Sequence, residues 1–415
     1  MKFVLFPLPT VPAASLEERK ALRPISARTE RFQMMIDEVT ELAQMAEDLG
    51  FDAIAFPEHH LHSEGLEMGC TPSWLLYVAM KTNHLKVGPI GYVLGSWDPL
   101  RLAVEIGWLD QLTKGRTFVG FARGYQDRWY NNMAPGQFFG VQSTHHEPGE
   151  RDARNRRIFE EVFQVLKLAW SDEPFSFKGE FYQYPNPYDE GTEWPPAPWT
   201  LELGAPGEVD PETMRVRKIF VVPKPYQKPH PPLWQAFSIS EPTIRWTARQ
   251  NITPAILTPY PPQLRQLAEA YVDEGAKAGR KLRMGESIGV LKTVYFKEVG
   301  DPEDMAMRGL LGVGFRNFWF YFGFGEAFRL PQDEEKWPFG KALLPLEEIT
   351  FQRAVECDFA FAGTVDDVLR RVEALEENVN PEWFVWLIDQ GLLSRYELKR
   401  ELELFGRYVI PRFKH

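Results

Sequence analysis

The feature of this sequence that most constrains its fold is a repeated alternation of short apolar segments with longer amphipathic ones. The short segments are rich in β-branched and aromatic residues, whereas the longer ones carry apolar residues at helical spacing. Strands separated by helices of this length pair in parallel, and the helices cover the sheet. Eight strands are predicted: Phe3–Phe6, Ala53–Phe56, Leu85–Val93, Thr117–Phe121, Leu233–Phe237, Ala255–Leu257, Gly289–Phe296 and Trp383–Leu387.

Predicted helices fill most of the gaps between these strands, and the clearest are 29–49, 99–112, 154–170, 241–250, 263–278, 364–376 and 396–408. Eight alternating strands favour an α/β fold of the (β/α)8 TIM barrel type over an open doubly wound sheet. The 415 residues fit one such domain, because these barrels extend from about 200 to more than 400 residues when they carry insertions. We therefore expect a single barrel domain over residues 1–415. Irregular insertions are expected at about 171–217 after strand 4 and 310–346 after strand 7.

Charge and cysteine content exclude several classes of protein. A formal net charge of −11 argues against a nucleic-acid partner, which requires clustered Lys and Arg on one face. Only Cys70 and Cys357 are present, so a disulfide framework is not expected and a reducing compartment is. Pro7 interrupts the apolar start before it reaches the length of a signal-peptide core. No segment approaches the roughly 18 apolar residues of a membrane span, so we expect a cytoplasmic protein without a membrane partner.

In a barrel of this type, function resides at the carboxyl ends of the strands, and the second strand is followed there by Glu58-His59-His60-Leu61-His62. Three interpretations are open. His60 and His62 could be metal ligands, although His84, His145, His146 and His230 do not fall at later strand ends. The cluster could also consist of loop residues hydrogen-bonded for structural reasons. We favour one catalytic imidazole, oriented by Glu58 and able to exchange a proton near neutral pH.

Two further strand ends carry groups suited to a phosphate. After the fourth strand, Arg123 is followed by Gly124, which combines a bidentate guanidinium with a backbone that a ligand can approach. After the fifth strand, Ser240 and Thr243 lie at a predicted helix start, where hydroxyls and free backbone N–H groups bind anions. The alternatives are a tight turn and ordinary N-capping. We find neither a dinucleotide fingerprint nor a P-loop.

Several motifs together resemble bacterial luciferase and the flavin-dependent monooxygenases related to it. The resemblance covers about residues 1–170 and returns at 230–250 and 360–410. It rests on the following segments: Glu58-His59-His60; Val87-Gly88-Pro89-Ile90-Gly91-Tyr92-Val93-Leu94; Asp98-Pro99-Leu100-Arg101-Leu102-Ala103; Leu109-Asp110-Gln111-Leu112-Thr113-Lys114-Gly115-Arg116; Gly120-Phe121-Ala122-Arg123-Gly124; and Gly363-Thr364-Val365-Asp366-Asp367.

The resemblance implies roles for individual residues. His59 matches the active-site acid/base and Glu58 its neighbour, while Ile90-Gly91 matches a non-prolyl cis peptide under the flavin ring. The remaining matches concern the phosphate and tail of FMN. They are Arg123, with Gly124 beside it, Tyr125, Arg156, Ser240 and Thr243. Ala122 stands where luciferase has a reactive cysteine, which puts light emission in doubt.

The resemblance further implies the activity and its partners. We expect a monooxygenase that uses reduced FMN and O2 to oxygenate a small apolar organic substrate, with segment 310–346 as a lid. A separate NAD(P)H flavin reductase would supply the reduced flavin, and a homodimer is expected by analogy. Two alternatives share the fold, namely a deazaflavin-dependent oxidoreductase and a non-catalytic flavin-binding relative. A metal-dependent hydrolase remains the alternative from a different class.

Overall fold

The computed structural model describes residues 1–69, 71–136, 149–338, 341–389 and 391–414. Cys70, His145 and His146 lie outside these ranges. In chain order, the strands of the described residues are β1 (Lys2–Leu8), β2 (Ala53–Phe56), β3 (Lys86–Pro89), β4 (Tyr92–Val93), β5 (Val119–Ala122), β6 (Phe177–Lys178), β7 (Gln183–Tyr184), β8 (Thr192–Glu193), β9 (Arg215–Val216), β10 (Leu233–Ser238), β11 (Thr253–Ile256), β12 (Gly289–Phe296), β13 (Ala360–Gly363) and β14 (Trp383–Asp389).

The main sheet is a parallel barrel whose third strand is broken in two. Its strands follow the order β3-β2-β1-β14-β12-β11-β10-β5-β4. Only Ile90-Gly91 separates β3 from β4, so these two short strands occupy one position in the barrel. Because β3 pairs with β2 and β4 pairs with β5, they connect the two ends of the strand order. Eight barrel positions result, and each contains one of the predicted strands. The expected barrel is confirmed, and β13 adds an extra parallel strand beside the carboxyl end of β12.

The helices of the described residues are α1 (Leu16–Ala21), α2 (Thr29–Asp48), α3 (Pro72–Met80), α4 (Pro99–Thr113), α5 (Asp127–Met133), α6 (Glu150–Trp170), α7 (Ala197–Leu203), α8 (Glu241–Gln250), α9 (Pro261–Lys277), α10 (Pro302–Arg308), α11 (Asp333–Lys336), α12 (Phe351–Glu356), α13 (Val365–Asn378), α14 (Arg395–Leu404) and α15 (Ile410–Phe413). Local capping explains where several begin. The side chain of Asp98 accepts a hydrogen bond from the N–H of Arg101 at the start of α4, and Thr364 forms a capping box with Asp367 at the start of α13. None of these helices, within the described ranges, is both long and apolar enough to cross a membrane.

The barrel strands are buried on both faces. All eight residues of β12 are buried, and in β1 only Lys2 is partly exposed. Helices cover the outer face of the barrel while side chains fill its interior, so the strands read as continuous apolar runs rather than alternating ones. This is why the strands could be located from the sequence.

Two segments depart from the barrel repeat. Residues 171–232, between α6 and β10, contain two antiparallel pairs, β6 with β7 and β8 with β9, and the short helix α7. Phe177 of β6 pairs with Tyr184 of β7, and in the turn between them the N–H of Gly179 donates to the carbonyl oxygen of Tyr182. The second segment follows β12 and α10. It contains a π-helix (Leu310–Arg316) and two 3-10 turns (Trp319–Phe322 and Phe324–Phe328), and we call residues 310–328 the aromatic roof.

Candidate active site

Two adjoining cavities open at the carboxyl ends of the barrel strands. A narrow cleft lies between the ends of β2, β4, β5 and β10, and His59, Ile90, Gly91 and Gln126 line it. A larger cavity of about 700 Å³ continues toward the starts of α6 and α8. Ala122, Gly124, Tyr125, Ala236 and Phe237 line both. The end of the barrel that was expected to carry function therefore contains two adjoining cavities with a common wall.

Glu58 holds the backbone beside the cleft and does not orient His59 as expected. Its buried carboxylate accepts hydrogen bonds from the N–H of Val93 (2.6 Å) and from the indole N–H of Trp97 (2.9 Å). Its remaining contact is with Nε2 of His60, at 3.0 Å. The reason is geometric. Neighbouring residues of an extended segment point to opposite sides, so Glu58 and His60 share one side and His59 faces the other.

His59 is buried between a carboxyl group and a phenol. Its Nδ1 lies 3.1 Å from Oε2 of Glu67, and its Nε2 lies 3.3 Å from the hydroxyl of Tyr125. Burial, together with the smaller effect of the neighbouring His60, lowers the pKa of His59 to about 3, so the ring is neutral near pH 7. Burial also raises the pKa of Glu67 to about 7, with the indole N–H of Trp319 and the His62 ring acting in the opposite direction. The cleft thus contains a neutral imidazole beside a carboxyl group that titrates near neutral pH.

His62 serves the structure of this loop. One ring nitrogen, Nδ1, lies 2.7 Å from the carbonyl oxygen of Leu66, and the other, Nε2, lies 2.7 Å from Oε1 of Gln126. The ring also stacks on His59, with centroids 5.4 Å apart. Because both nitrogens have protein partners, His62 is not available to a metal in this arrangement. Across the described ranges, no three or more His, Cys, Asp or Glu side chains form a group that could hold a metal ion.

The larger cavity brings together the four groups expected at a phosphate. Arg123, at the end of β5, and Arg156, on α6, line it from one side, and Ser240 and Thr243 line it from the start of α8. Asp152 holds the guanidinium of Arg123, with Nη1 and Oδ1 2.9 Å apart. The hydroxyl of Ser240 donates to that of Thr243 and does not cap the helix. The first N–H groups of α8 are therefore not capped by Ser240, which suits an anion.

The floor of the cleft is made of backbone. The peptide bond between Ile90 and Gly91 is cis, as the resemblance implied. A Cβ atom on Gly91 would lie 2.4 Å from the carbonyl carbon of Gly120, and one on Gly120 would lie 2.4 Å from the carbonyl oxygen of Pro89. The third and fourth barrel strands thus approach so closely that only glycine fits at these two positions.

The aromatic roof packs directly over the mouth of the barrel. Phe322 and Phe324 contact the ring of Tyr125 edge-on, with centroids 5.0 and 4.8 Å apart. Phe318 contacts His62 in the same way at 5.1 Å. Phe237 has a positive φ of 42° where the register of β10 shifts, and its ring packs against Phe324. The rings of the roof therefore pack against Tyr125 and His62 beside the cleft, and Phe324 lines the larger cavity.

Sequence reasoning missed three residues of this site. Glu67 lies in a loop without periodicity, and no motif marks it. Asp152 precedes the predicted helix 154–170 and was not singled out, although in the structure it lies in the first turn of α6, where it can hold an arginine at a neighbouring strand end. Trp319 was one of many aromatic residues in an irregular segment, and only the fold reveals that it reaches Glu67.

Comparisons with known proteins find flavin-dependent monooxygenases similar to this chain. Residues 1–202 match the family model described as luciferase-like monooxygenase. The oxygenase component of a flavin-dependent trigonelline monooxygenase from Acinetobacter baylyi is 26% identical over 207 residues, which are 49% of this chain and 44% of that protein. An FMNH2-dependent dimethylsulfone monooxygenase from Pseudomonas fluorescens is 32% identical over 39% of this chain and 41% of that protein. The chain therefore spans less than half the length of these two relatives.

One solved structure extends the likeness to the whole chain. The oxygenating constituent of 3,6-diketocamphane monooxygenase from Pseudomonas putida, in complex with FMN, superimposes with a TM-score of 0.69. It is 19% identical and covers 99% of this chain and 98% of that one, which shows a common fold. Residues 1–202 thus match the luciferase-like monooxygenase family, and the whole chain shares the barrel fold of the FMN-bound structure.

Proposed function

We propose that this protein is a monooxygenase that uses reduced FMN and O2 to oxygenate a small apolar organic substrate. One observation carries the proposal. Arg123, Arg156, Ser240 and Thr243 line a cavity that shares Ala122, Gly124, Tyr125, Ala236 and Phe237 with the cleft of His59. A phosphate at one end and a reactive ring at the other are the two parts of FMN. The FMNH2-dependent relative supports the same cofactor.

The residues present fit FMN in three respects. Two arginines, two hydroxyls and a helix start form a donor set suited to a phosphate dianion. The glycine backbone of Gly91 and Gly120 leaves a flat floor on which a planar ring can lie. Within the described part of the chain, the amide nitrogen of Gln126 and the amide oxygen of Gln235 are buried at the two cavities without a hydrogen-bond partner. These groups match the mixed donors and acceptors at the edge of a flavin ring.

The roles of the protein's own residues follow from this placement. Bound reduced flavin would supply the electrons that activate oxygen. Arg123 and Arg156 neutralise the phosphate, and the start of α8 receives its oxygens. His59 holds a proton at the cleft and, being neutral, can donate from one ring nitrogen and accept at the other. Tyr125, next to Nε2 of His59, extends this hydrogen-bonded path toward the larger cavity.

The chemistry of the roof supports an apolar substrate. Phe318 and Phe322 pack beside the cleft and Phe324 lines the larger cavity, and apolar side chains of this kind exclude water from the reacting atoms. The rings bind apolar molecules without offering them specific hydrogen bonds. The roof thus favours small hydrocarbon-like groups and protects the reaction from solvent.

We also propose that a separate NAD(P)H flavin reductase supplies the reduced flavin, because the sequence carries no dinucleotide fingerprint. We further propose that the protein is a homodimer in the cytoplasm. Sedimentation of the purified protein tests the dimer. To test whether a separate reductase is required, turnover is measured with NADH and FMN. We expect steady turnover only after a flavin reductase is added.

The decisive experiment mixes the protein, loaded anaerobically with reduced FMN, with oxygenated buffer and follows the flavin absorbance. We expect the protein to delay the return to the oxidised spectrum relative to free flavin, and to transfer oxygen to an apolar test substrate. Reoxidation at the rate of free flavin would refute the proposal. In that case, tight binding of a reduced deazaflavin would identify the other oxidoreductase of this fold. Binding of FMN without turnover would identify a flavin-binding relative.

A further inference from the structure

The wall of the narrow cleft contains a buried amide whose two ends are used differently. Gln126, directly before α5, is 3% exposed and lines the cleft. Its amide oxygen, Oε1, accepts a hydrogen bond from the indole N–H of Trp129 (2.9 Å) and lies 2.7 Å from Nε2 of His62. Its amide nitrogen, Nε2, is buried and makes no hydrogen bond to any described residue. The protein therefore uses the oxygen of this amide and leaves the nitrogen without an acceptor.

Trp129 determines which end of the Gln126 amide is the oxygen. An indole nitrogen can only donate, so the amide atom 2.9 Å from it must be an acceptor. Turning the amide over would bring its NH2 group against the indole N–H and leave two buried donors facing each other. Trp129 is 1% exposed and packs edge-on against the ring of His60, with centroids 5.0 Å apart, which holds the indole in place. The orientation of the amide is therefore fixed by its surroundings.

The polar side chains that line the cleft do not satisfy this NH2 group. The carboxylate of Glu58 is occupied by two other N–H donors and by His60. The hydroxyl of Tyr125 is close enough to the Gln126 side chain to interact with it, and it also faces Nε2 of His59 at 3.3 Å. One hydroxyl oxygen can take at most one of the two amide hydrogens in such an arrangement, so at least one N–H still lacks an acceptor. A buried donor of this kind is costly unless a ligand supplies the acceptor.

Two ligands compete for this donor, namely the edge of a flavin ring and the substrate. Gln235, the other unpaired amide, lines the larger cavity together with the groups expected at the phosphate, whereas Gln126 lines the cleft and not that cavity. We therefore assign Gln235 to the flavin and Gln126 to the substrate. Neither Lys nor Arg is among the described residues that line the cleft, so no cation there would neutralise an anionic substrate. The group that fits is a neutral oxygen acceptor on an otherwise apolar molecule.

We propose that Gln126 determines substrate specificity by donating from Nε2 to a carbonyl oxygen, so that the substrate is a small apolar ketone or related carbonyl compound. The rest of the molecule would pack against the apolar part of the cleft wall, which includes Val93, Ala122, Ala236 and Phe237. A ligand of the same shape without the oxygen leaves the donor buried and unpaired, and this selects against it. The expected discrimination is roughly ten- to 100-fold in affinity. This inference deepens the proposed function and rests on it only for turnover.

Binding of paired ligands tests the inference without turnover. The probes are small cyclic ketones, each compared with the analogue in which a C=CH2 group replaces the C=O group. Binding is measured by NMR of protein labelled with nitrogen-15 in its glutamine side chains, with and without oxidised FMN. In the wild-type protein, a ketone should bind more tightly than its methylene analogue and should shift the side-chain amide signal of Gln126.

Gln126→Glu is the informative variant. At pH 8 its carboxylate keeps an acceptor for Trp129 and His62 but has no N–H to donate. The preference for the ketone over its analogue should therefore fall roughly ten- to 100-fold, while the affinity for FMN stays as in the wild-type protein. Gln33→Glu is the matched control, because Gln33 is exposed on α2, and it should keep the wild-type preference.

Three results would overturn the inference. The first is a wild-type protein that binds no ketone of the panel more tightly than its analogue. The second is a ketone that binds without shifting the Gln126 signal, which is decisive even if the variant does not fold. The third is a Gln126→Glu variant that loses as much affinity for FMN as it loses preference for the ketone, since the donor would then serve the flavin. Because ketone binding is also measured without flavin, failure of FMN to bind or to react leaves this readout intact and can be told apart.

Discussion

Replacing Arg123 tests the assignment of the phosphate end of the site. The Arg123 side chain is 19% exposed and is held by Asp152 at 2.9 Å, so its charge is only partly screened. A hydrogen bond from such a group to a phosphate contributes about 1.5–3 kcal/mol. Arg123→Gln should therefore weaken FMN binding by roughly ten- to 150-fold. Arg156 is 36% exposed, so its ion pair with the phosphate should contribute only about 0.5–1 kcal/mol of binding free energy. Replacing Arg156 should therefore weaken FMN binding only about two- to fivefold.

The assay is fluorescence titration with FMN and with riboflavin, which lacks the phosphate. A phosphate contact predicts that Arg123→Gln weakens FMN and leaves riboflavin unchanged. Removing the guanidinium also leaves the Asp152 carboxylate near the phosphate, so the double variant with Asp152→Asn should recover part of the loss. Arg157→Gln is the matched control. Arg157 lies on α6, the helix that carries Asp152 and Arg156, but it pairs with Glu150 and Glu180 at the surface.

If Arg123→Gln weakened riboflavin as strongly as FMN, the arginine would hold the fold or the ring and not the phosphate. A loss of FMN affinity in Arg157→Gln as large as that in Arg123→Gln would equally exclude a specific phosphate contact. High salt should reduce the FMN affinity of the wild-type protein more than that of the Arg123→Gln variant, because the screened interaction is absent from the variant.

Three further outcomes are expected from the buried parts of the fold. Glu58→Ala leaves two buried N–H groups without an acceptor, which should cost about 2–6 kcal/mol of unfolding free energy in a denaturant titration; a loss below 1 kcal/mol would contradict the assigned contacts. Gly91→Ala places a Cβ atom against the backbone of Gly120 and should yield little folded protein, whereas Gly136→Ala, with no atom within 4 Å of its Cβ, should express normally. Burial raises the pKa of the Glu38 carboxyl group to about 7 in the folded protein. The free energy of unfolding therefore falls as the pH rises from the lower pKa of the unfolded chain to about 7. Glu38→Gln should accordingly raise the melting temperature more at pH 8 than at pH 5, and an equal gain at both would exclude this cause.

The barrel could be predicted from the sequence because its strands are buried on both faces and therefore form continuous apolar runs that end at Pro, Gly or polar residues. The apolar run of β12 was located at both ends, and so was helix α8. The short helix α12 and strand β13 were not predicted, because they follow an irregular segment and are too short for a periodic signal. Their place is determined by pairing with β12, which is a contact distant in sequence.

At the site, the residue types could be predicted but their partners could not. Arg123, Ser240 and Thr243 were identified because they follow strand ends, and strand ends of a parallel barrel meet at one rim. Glu58 was assigned to His59 from adjacency alone, and the alternation of an extended chain sends the two side chains to opposite sides. The true neighbour, Glu67, is eight residues further along a loop. Its approach depends on contacts with Thr10 and Trp319 that no local pattern encodes.

The contrast between a backbone floor and a side-chain roof has a consequence for how such an enzyme can diversify. At Gly91 and Gly120 no side chain can be introduced without displacing main chain, so mutation has almost no freedom to reshape that surface. Phe318 and Phe322 are partly buried at a short irregular turn outside the barrel strands, so exchanging them for smaller side chains changes the roof without changing a barrel strand. A library aimed at new substrates is therefore best confined to the roof, with the floor left as an invariant platform for the cofactor.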